Sequence, residues 1–299
     1  MLKMLKKSKI TILFIFSAVL FASAAVGSFV PETKDSGFIS SKIEYERLKI
    51  TEKKSEFSWR KHEGTPLPEH EKLTFTVMWN FIAVGEASLE LRGYDYIEGR
   101  KAHHVYSYAK TKPFFDTFFK VRDTNESWID EESKASLRYK SDISEGGWLK
   151  NEVLDFDHIG KTFLLYDNGK MQKGKIPEYV QDVLSALYYV RTMDIKTGDS
   201  ITLDAHSGDL SWPLTIKVLK KDKIKVPAGE FNCFLLEPVI RKEAGIVNAK
   251  GKMQVWVTAD EKKMPVCLKV KIPIGSANAV LERFEVQKNI PILTTEKEQ

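Results

Sequence analysis

The segment LTFTVMW alternates its side chains. Leu73, Phe75, Val77 and Trp79 fall on one face of an extended chain, and Thr74, Thr76 and Met78 on the other. A period of two cannot be accommodated by a helix. It demands a strand with one face buried, and such a strand needs partners. GEASLEL repeats the pattern, with Ala87, Leu89 and Leu91 set against Glu86, Ser88 and Glu90. AHHVYSYA follows, with His104, Tyr106 and Tyr108 on one side. Further short strands are predicted at SLRYKS, LKNEVLDF, KTFLLY, DSITLD, PLTIKVL, KIKV, EFNCFLLEPV, KMQVWVT, PVCLKVKI and NAVLERFEV. Between them lie turn signals. Asn168-Gly169 suits a two-residue hairpin, Pro227-Ala228-Gly229 a second turn, and the apolar NFIAVG reads as a connection closed by Gly85. Short strands at this spacing predict one antiparallel β domain.

One segment breaks the alternation. In IPEYVQDVLSALYYVRTMD, Val180, Val183, Leu184, Leu187, Val190 and Met193 recur at helical spacing, and Pro177 suits a first helical turn. Its apolar face must be covered, which places it on the concave side of the sheet or across one end. The expected fold is therefore all-β and mainly antiparallel, a strongly curved sheet or open half-barrel with one packed α-helix. Asp182 and Arg191 stand nine residues apart, offset by about 180° around that helix. They cannot pair with each other, so each is expected to anchor one helix end to the sheet.

The ends of the chain differ from its middle. Lys3, Lys6, Lys7 and Lys9 precede an apolar run from Ile10 to Phe21, followed by Ala22-Ser23-Ala24. A run of about a dozen residues suits a signal-peptide core and is short for a membrane span. Residues 1–24 are expected to be a signal peptide, 25–70 a linker or loosely docked arm, 71–286 the β domain and 287–299 a polar tail. No cysteine lies near the cleavage site, which argues against a lipid anchor there. Lys and Arg number 46 against 41 Asp and Glu, a formal charge of +5 with the signs interleaved. No basic stripe stands out, so no nucleic-acid partner is expected. A weak attraction to anionic lipid fits the charge, and a peripheral membrane contact is kept among the expected partners. The pattern carries no signal of oligomeric state.

The chain has two cysteines. By alternation Cys233 shares a face with Phe231 and Leu235, whereas Cys267 shares one with Lys269 and Lys271. One thiol is expected to face inward and the other outward, so both are expected to be free.

PFFDTFFK, Pro113 to Lys120, holds four phenylalanines in eight residues. On a helical turn begun by Pro113, Phe114, Phe115, Phe118 and Phe119 fall on one side. The bland reading is a cap on the β core, and the sharper one an apolar lip around a ligand cavity. Phe114 and Phe118 are expected to point into the core or cavity, with Asp116 and Lys120 in water. Trp79, Tyr106 and Tyr108 join the four phenylalanines as candidate ligand-binding residues.

The polar candidates are weaker. Asp123, Glu126 and Asp130 near Arg122 read as a solvated strand face, with Glu126 and Asp130 on the side that Asp123 does not share. Ser185 lacks the elbow of a nucleophilic serine and suits packing in mid-helix. His103-His104 and the Asp155–His158 run point alternately to opposite faces and converge on no metal. No cofactor, metal or catalytic residue is assigned.

The hairpin LTFTVMWNFIAVGEASLEL, the segment FFKVRDTNESWID, the helix core DVLSALYYVR and the run IKVPAGEFNCFLLEP…GKMQVWVTADEKKMPVCLKVKI together resemble an exported bacterial family, domain of unknown function 3108 (DUF3108). The resemblance covers Leu73 to about Phe284. It implies a curved antiparallel β architecture and an envelope location, the periplasm of a Gram-negative-type bacterium, and it brings no catalytic residues. Two functions are expected from these readings. One is a non-enzymatic binding or carrier protein for a lipid or other hydrophobic envelope ligand. The other is an envelope scaffold whose core is filled and which binds protein. A carrier is expected to keep an apolar cavity of several hundred cubic ångströms, and a scaffold is not.

Overall fold

The computed structural model describes residues 57–239, 253–272 and 275–287. The expected signal peptide, most of the arm and nearly all of the tail lie outside the described residues. The domain begins with β1 (His70–Trp79), β2 (Ile82–Ile97), β3 (Arg100–Thr111), β4 (Arg122–Asp130), β5 (Ser136–Glu145), β6 (Trp148–Asp157), β7 (Thr162–Asp167) and β8 (Lys170–Lys175). It continues through β9 (Ser200–Ser207), β10 (Leu210–Val226), β11 (Gly229–Val239), β12 (Met253–Thr258), β13 (Pro265–Ile272) and β14 (Gly275–Val286). Two helices stand among the described residues: α1 (Pro113–Asp116) between β3 and β4, and α2 (Val183–Thr192) between β8 and β9.

All fourteen strands form one antiparallel sheet, in the order β8-β7-β6-β5-β4-β3-β2-β1-β14-β13-β12-β11-β10-β9. The last strand pairs with the first, so the free edges are β8 and β9. The sheet curls until those edges approach. The His206 ring on β9 meets Phe156 on β6 at 5.4 Å and Phe163 on β7 at 4.6 Å. No ladder joins the edges, so the barrel stays open. The chain leading into α2 crosses the gap instead. Ser136 N–H donates to Val180 O at 3.1 Å, Gln181 N–H to Asp204 O at 2.8 Å, and His206 N–H to Gln181 O at 2.8 Å.

This strap explains why α2 begins at Val183 and not at Pro177, as the helical spacing suggested. Val180 and Gln181 spend their backbone groups on β5 and β9, and Tyr179 has φ +57°, so none of them can start a helix. Asp182 then caps α2, accepting from Leu184 N–H at 2.7 Å and Ser185 N–H at 2.9 Å. The same carboxylate accepts from the hydroxyls of Ser127 on β4 and Ser136 on β5, at 2.6 and 2.5 Å. Burial raises its pKa, and those four donors oppose the rise. At the other end Arg191 makes a two-pronged ion pair with Glu71 of β1, at 2.7 and 2.8 Å, with both side chains 1% exposed. The expectation that Asp182 and Arg191 anchor opposite helix ends is met.

The Asn168-Gly169 turn forms as expected, with φ +48° and +81° and Asp167 opposite Lys170. The β1–β2 connection is tighter than NFIAVG suggested. Trp79 pairs with Ile82 across Asn80-Phe81, with Asn80 at φ +52°, and Gly85 lies inside β2. Residues 57–69 are held by named contacts. His62 N–H donates to Glu132 O at 2.9 Å, Thr65 N–H to Thr192 O at 2.8 Å, and the Arg60 guanidinium lies 4.4 Å over the Tyr179 ring.

Candidate functional site

The inner face of the curled sheet divides into two chemistries, and register shows how. One row of paired residues runs Leu89, Ser107, Asn125, Ser141, Glu152, Asp167 from β2 to β7. It starts apolar and turns polar. In the other direction, from β1 through β14 to β9, the inward residues stay apolar, and two core clusters form there and around α2.

Under α2 the apolar half leaves a pocket of about 160 Å³. Val183, Ala186, Leu187 and Val190 form its helix wall, and Phe75, Leu214, Ile216, Val255, Leu268 and Ala279 belong to its sheet wall. The lining is almost wholly carbon, with the buried Asp182 the one charged member. Trp212, Pro238 and Met253 border it and are only half buried, so the pocket opens toward their end of the sheet. That end is the one bearing the β1–β2 turn, because Met253 lies in one row with Val270, Ala277 and Trp79. The volume falls short of the several hundred cubic ångströms expected of a cavity that swallows a whole lipid. It matches the size of cavities that hold one benzene-sized group.

The predicted residues lie elsewhere, and none of the seven borders this pocket. Phe115 and Phe119 pack against the larger core, as does Trp79. Phe114 and Phe118, expected inward, are 71% and 70% exposed. The reason is local. The turn has two i,i+4 phenylalanine pairs, and the core beside Gly146 takes the 115/119 pair, where a Cβ on Gly146 would sit 2.3 Å from the Phe119 ring. Tyr106 and Tyr108 stand on the outer face of β3, opposite buried Val105, Ser107 and Ala109. There Arg92 covers the Tyr106 ring at 3.4 Å, and Tyr108 donates to Glu86 at 3.1 Å.

Two of the β4 acids expected in water are buried instead. Asp123 is 4% exposed, not solvated. Burial pushes its carboxyl up to about 6, against the Ser144 N–H at 3.0 Å and a hydrogen bond with Glu145. Each is an acid facing inward on neighbouring strands, a convergence that no local spacing reveals because their sequence separation is 22 residues. Asp130 keeps the Glu126 face, in register with Ala102 where Glu126 faces Tyr106, but it too is buried: Arg100 pairs with it at 2.9 Å, and Ser133 N–H and Oγ donate to it at 2.7 Å. Both cysteines are free, Cys233 buried and Cys267 partly so. Burial pushes the two thiols up to about 12 and about 11. Cys267, paired with Val280 in a regular stretch of the β13–β14 ladder, is half buried and borders the pocket instead of standing in open solvent. Among the described residues no group of three or more His, Cys, Asp or Glu is placed to hold a metal. Among them, too, no helix is long and apolar enough to cross a membrane.

Comparison with solved structures finds the same architecture at very low identity. A β-barrel-like protein of the domain of unknown function DUF1849, from Brucella abortus, superposes with a TM-score of 0.50 at 8% identity, over 75% of this chain and 100% of its own. A Bacteroides fragilis protein described as exported, with a YmcC-like fold, matches at a TM-score of 0.30 and 11% identity, over 74% of this chain and 98% of its own. A Parabacteroides distasonis protein described as a lipoprotein matches at 0.26 and 8% identity, over 74% and 97%. Only the first of these bears on the fold. No curated protein matches the chain. The profile of the family described as "Protein of unknown function (DUF3108)" matches residues 74–282, most of the β domain, and the chain belongs to that family.

Proposed function

We propose that this is an exported envelope protein that binds one apolar chain of a hydrophobic ligand, such as a lipid acyl chain, without chemistry on it. The observation that carries the reading is the pocket of about 160 Å³ between α2 and the β9–β14 half of the sheet, lined by carbon and open at one end. Apolar side chains left facing such a space lose contacts that a bound chain would restore. The small volume means that only the end of a chain is enclosed while the rest of the ligand stays outside. The Lys-rich start followed by an apolar run supports export. The same small volume also favours the alternative, a scaffold whose concave face is nearly filled by its own helix.

Delipidated protein titrated with a fluorescent fatty acid separates the two. Saturable uptake is expected, and Ala186→Trp, which puts an indole into the pocket from the helix wall, should abolish it while thermal unfolding shows the fold intact. Absence of uptake by the wild type, with only the bare polypeptide mass in native mass spectrometry of protein from its own envelope, would leave the scaffold reading standing.

A further inference from the structure

Large apolar side chains exposed to water cluster at one end of this sheet. Phe81 is 95% exposed, Ile82 56%, Phe114 71% and Phe118 70%. They come from two neighbouring tips. The β1–β2 turn carries Phe81 and Ile82, and the β3–β4 connection carries Phe114 and Phe118. Strand β2 holds the tips side by side: Gly85 pairs with Thr111, and Lys112 N–H donates to Val84 O at 2.9 Å. Neither tip is loose. Phe115 O accepts from Phe118 N–H and Phe119 N–H at 3.0 and 2.9 Å, and Arg122 clamps Asp116 at 2.5 and 3.1 Å. Phe115 and Phe119 hold the turn to the core, so the exposed rings are presented by a fixed frame. The Phe114 and Phe118 rings touch, with centroids 5.7 Å apart.

Charge at these tips has one sign outward. Asp116 is taken by Arg122 and Thr111, and Glu86 by Lys110 and Tyr108. Lys112 and Lys120 flank the phenylalanines and are exposed. Protruding aromatic rings with lysines beside them match a membrane interface, where rings enter the acyl boundary and cations meet anionic headgroups. Three exposed phenylalanines and an isoleucine would make a large apolar patch for a monomer in water. They protrude from two tips instead of forming a flat face, which suits entry into a bilayer surface better than contact with a rigid protein.

We propose that this end of the sheet, through Phe81, Ile82, Phe114, Phe118, Lys112 and Lys120, docks on the surface of an anionic lipid bilayer. The inference rests on the rim and is independent of what the pocket holds, although the pocket opens at the same end.

The test is co-sedimentation of processed, exported protein with vesicles of phosphatidylethanolamine and phosphatidylglycerol, and with vesicles of phosphatidylcholine alone. Binding to the anionic vesicles is expected. Phe81→Ser/Phe118→Ser should weaken it roughly tenfold or more, since interfacial affinity follows buried apolar area. Lys112→Glu/Lys120→Glu should weaken it on anionic vesicles and leave the weak binding to phosphatidylcholine unchanged. All four positions are exposed, and unchanged melting temperatures will show that the variants fold. Phe118→Trp adds a direct readout, a blue shift of its fluorescence when anionic vesicles are added. Failure of the wild type to bind, or equal binding by the serine variant, overturns the proposal. So does a wild-type dimer in sedimentation velocity that the serine variant converts to a monomer without any vesicle binding by either, since the patch would then serve self-association.

Discussion

Phe115 and Phe119 differ from Phe114 and Phe118 only in register, yet their energetic roles should be opposite. Both pairs are spaced i,i+4, both are phenylalanine, and the polar residues of the segment, Asp116, Thr117 and Lys120, lie opposite both pairs and do not break the tie. The decision falls to tertiary contacts: the space beside Gly146, at φ +55°, admits the Phe119 ring. Phe119 is half buried against the core, so Phe119→Ala should cost about 2 kcal/mol, below the range for a fully buried ring. Phe118→Ala should change stability by no more than about 0.5 kcal/mol, because a 70% exposed side chain leaves no cavity. Urea unfolding of the two variants checks this, and the reverse ranking would mean that the turn is packed the other way. Asp123 shows the same limit of local reading. Nothing in VRDTNESWID distinguishes a buried acid from a solvated one, since its partner Glu145 arrives from the next strand.

Elements were easier to read than their ends. Alternation in β1 correctly put Leu73, Phe75 and Val77 in the core, because period two is a property of the backbone and holds wherever the ladder is regular. It gave the face but not the exposure of Asp130 and Cys267: Asp130 is buried by Arg100 and Ser133, and Cys267, in register with Val280, is half buried. The helical period likewise identified α2 but ran it too far toward its N-terminus, because the strap and the helix share an apolar pattern. The contact between β1 and α2 was beyond sequence. Glu71 and Arg191 are 120 residues apart and both fully buried. Removing one partner leaves a charge in a site without water. Arg191→Met should therefore destabilise by about 3–5 kcal/mol, whereas Glu71→Leu/Arg191→Met should recover most of that loss. The comparison is made from urea midpoints of the single and double variants. A double variant no more stable than the single one would show that the pair contributes more than the removal of an uncompensated charge explains.

At the scale of the molecule, the curled sheet buries imidazoles, and this sets how the fold responds to acid. Burial pushes His103 down to about 3 and His206 down to about 4, from an ordinary 6.5. His206 is held neutral between Ser211 Oγ at 2.7 Å and Gly208 O at 2.9 Å, with Phe156 and Phe163 against its ring. His158 and His62 are lowered too, first by burial. In the unfolded chain these histidines take up protons as pH falls through about 6.5, while the folded protein refuses them until about 4. Stability is therefore fully present above that upper pH and is lost below it, by up to about 1.4 kcal/mol per pH unit for each histidine involved. Asp123 acts in the opposite direction. Its folded pKa of about 6 lies above the ordinary 3.8, so the folded state takes up that proton first and gains stability as pH falls. Burial raises Glu152 and Asp182 as well, so three carboxyls act against four lowered imidazoles, and the imidazoles, which begin to charge in the unfolded chain near 6.5, are expected to lead the response. The urea midpoint should fall steadily from pH 7 to about 4.5, and His103→Asn/His206→Asn should flatten the slope even though it lowers the midpoint at pH 7. A wild-type midpoint that stays level or rises over this range would show that the carboxyls buried along β4 to β7 govern the acid response instead.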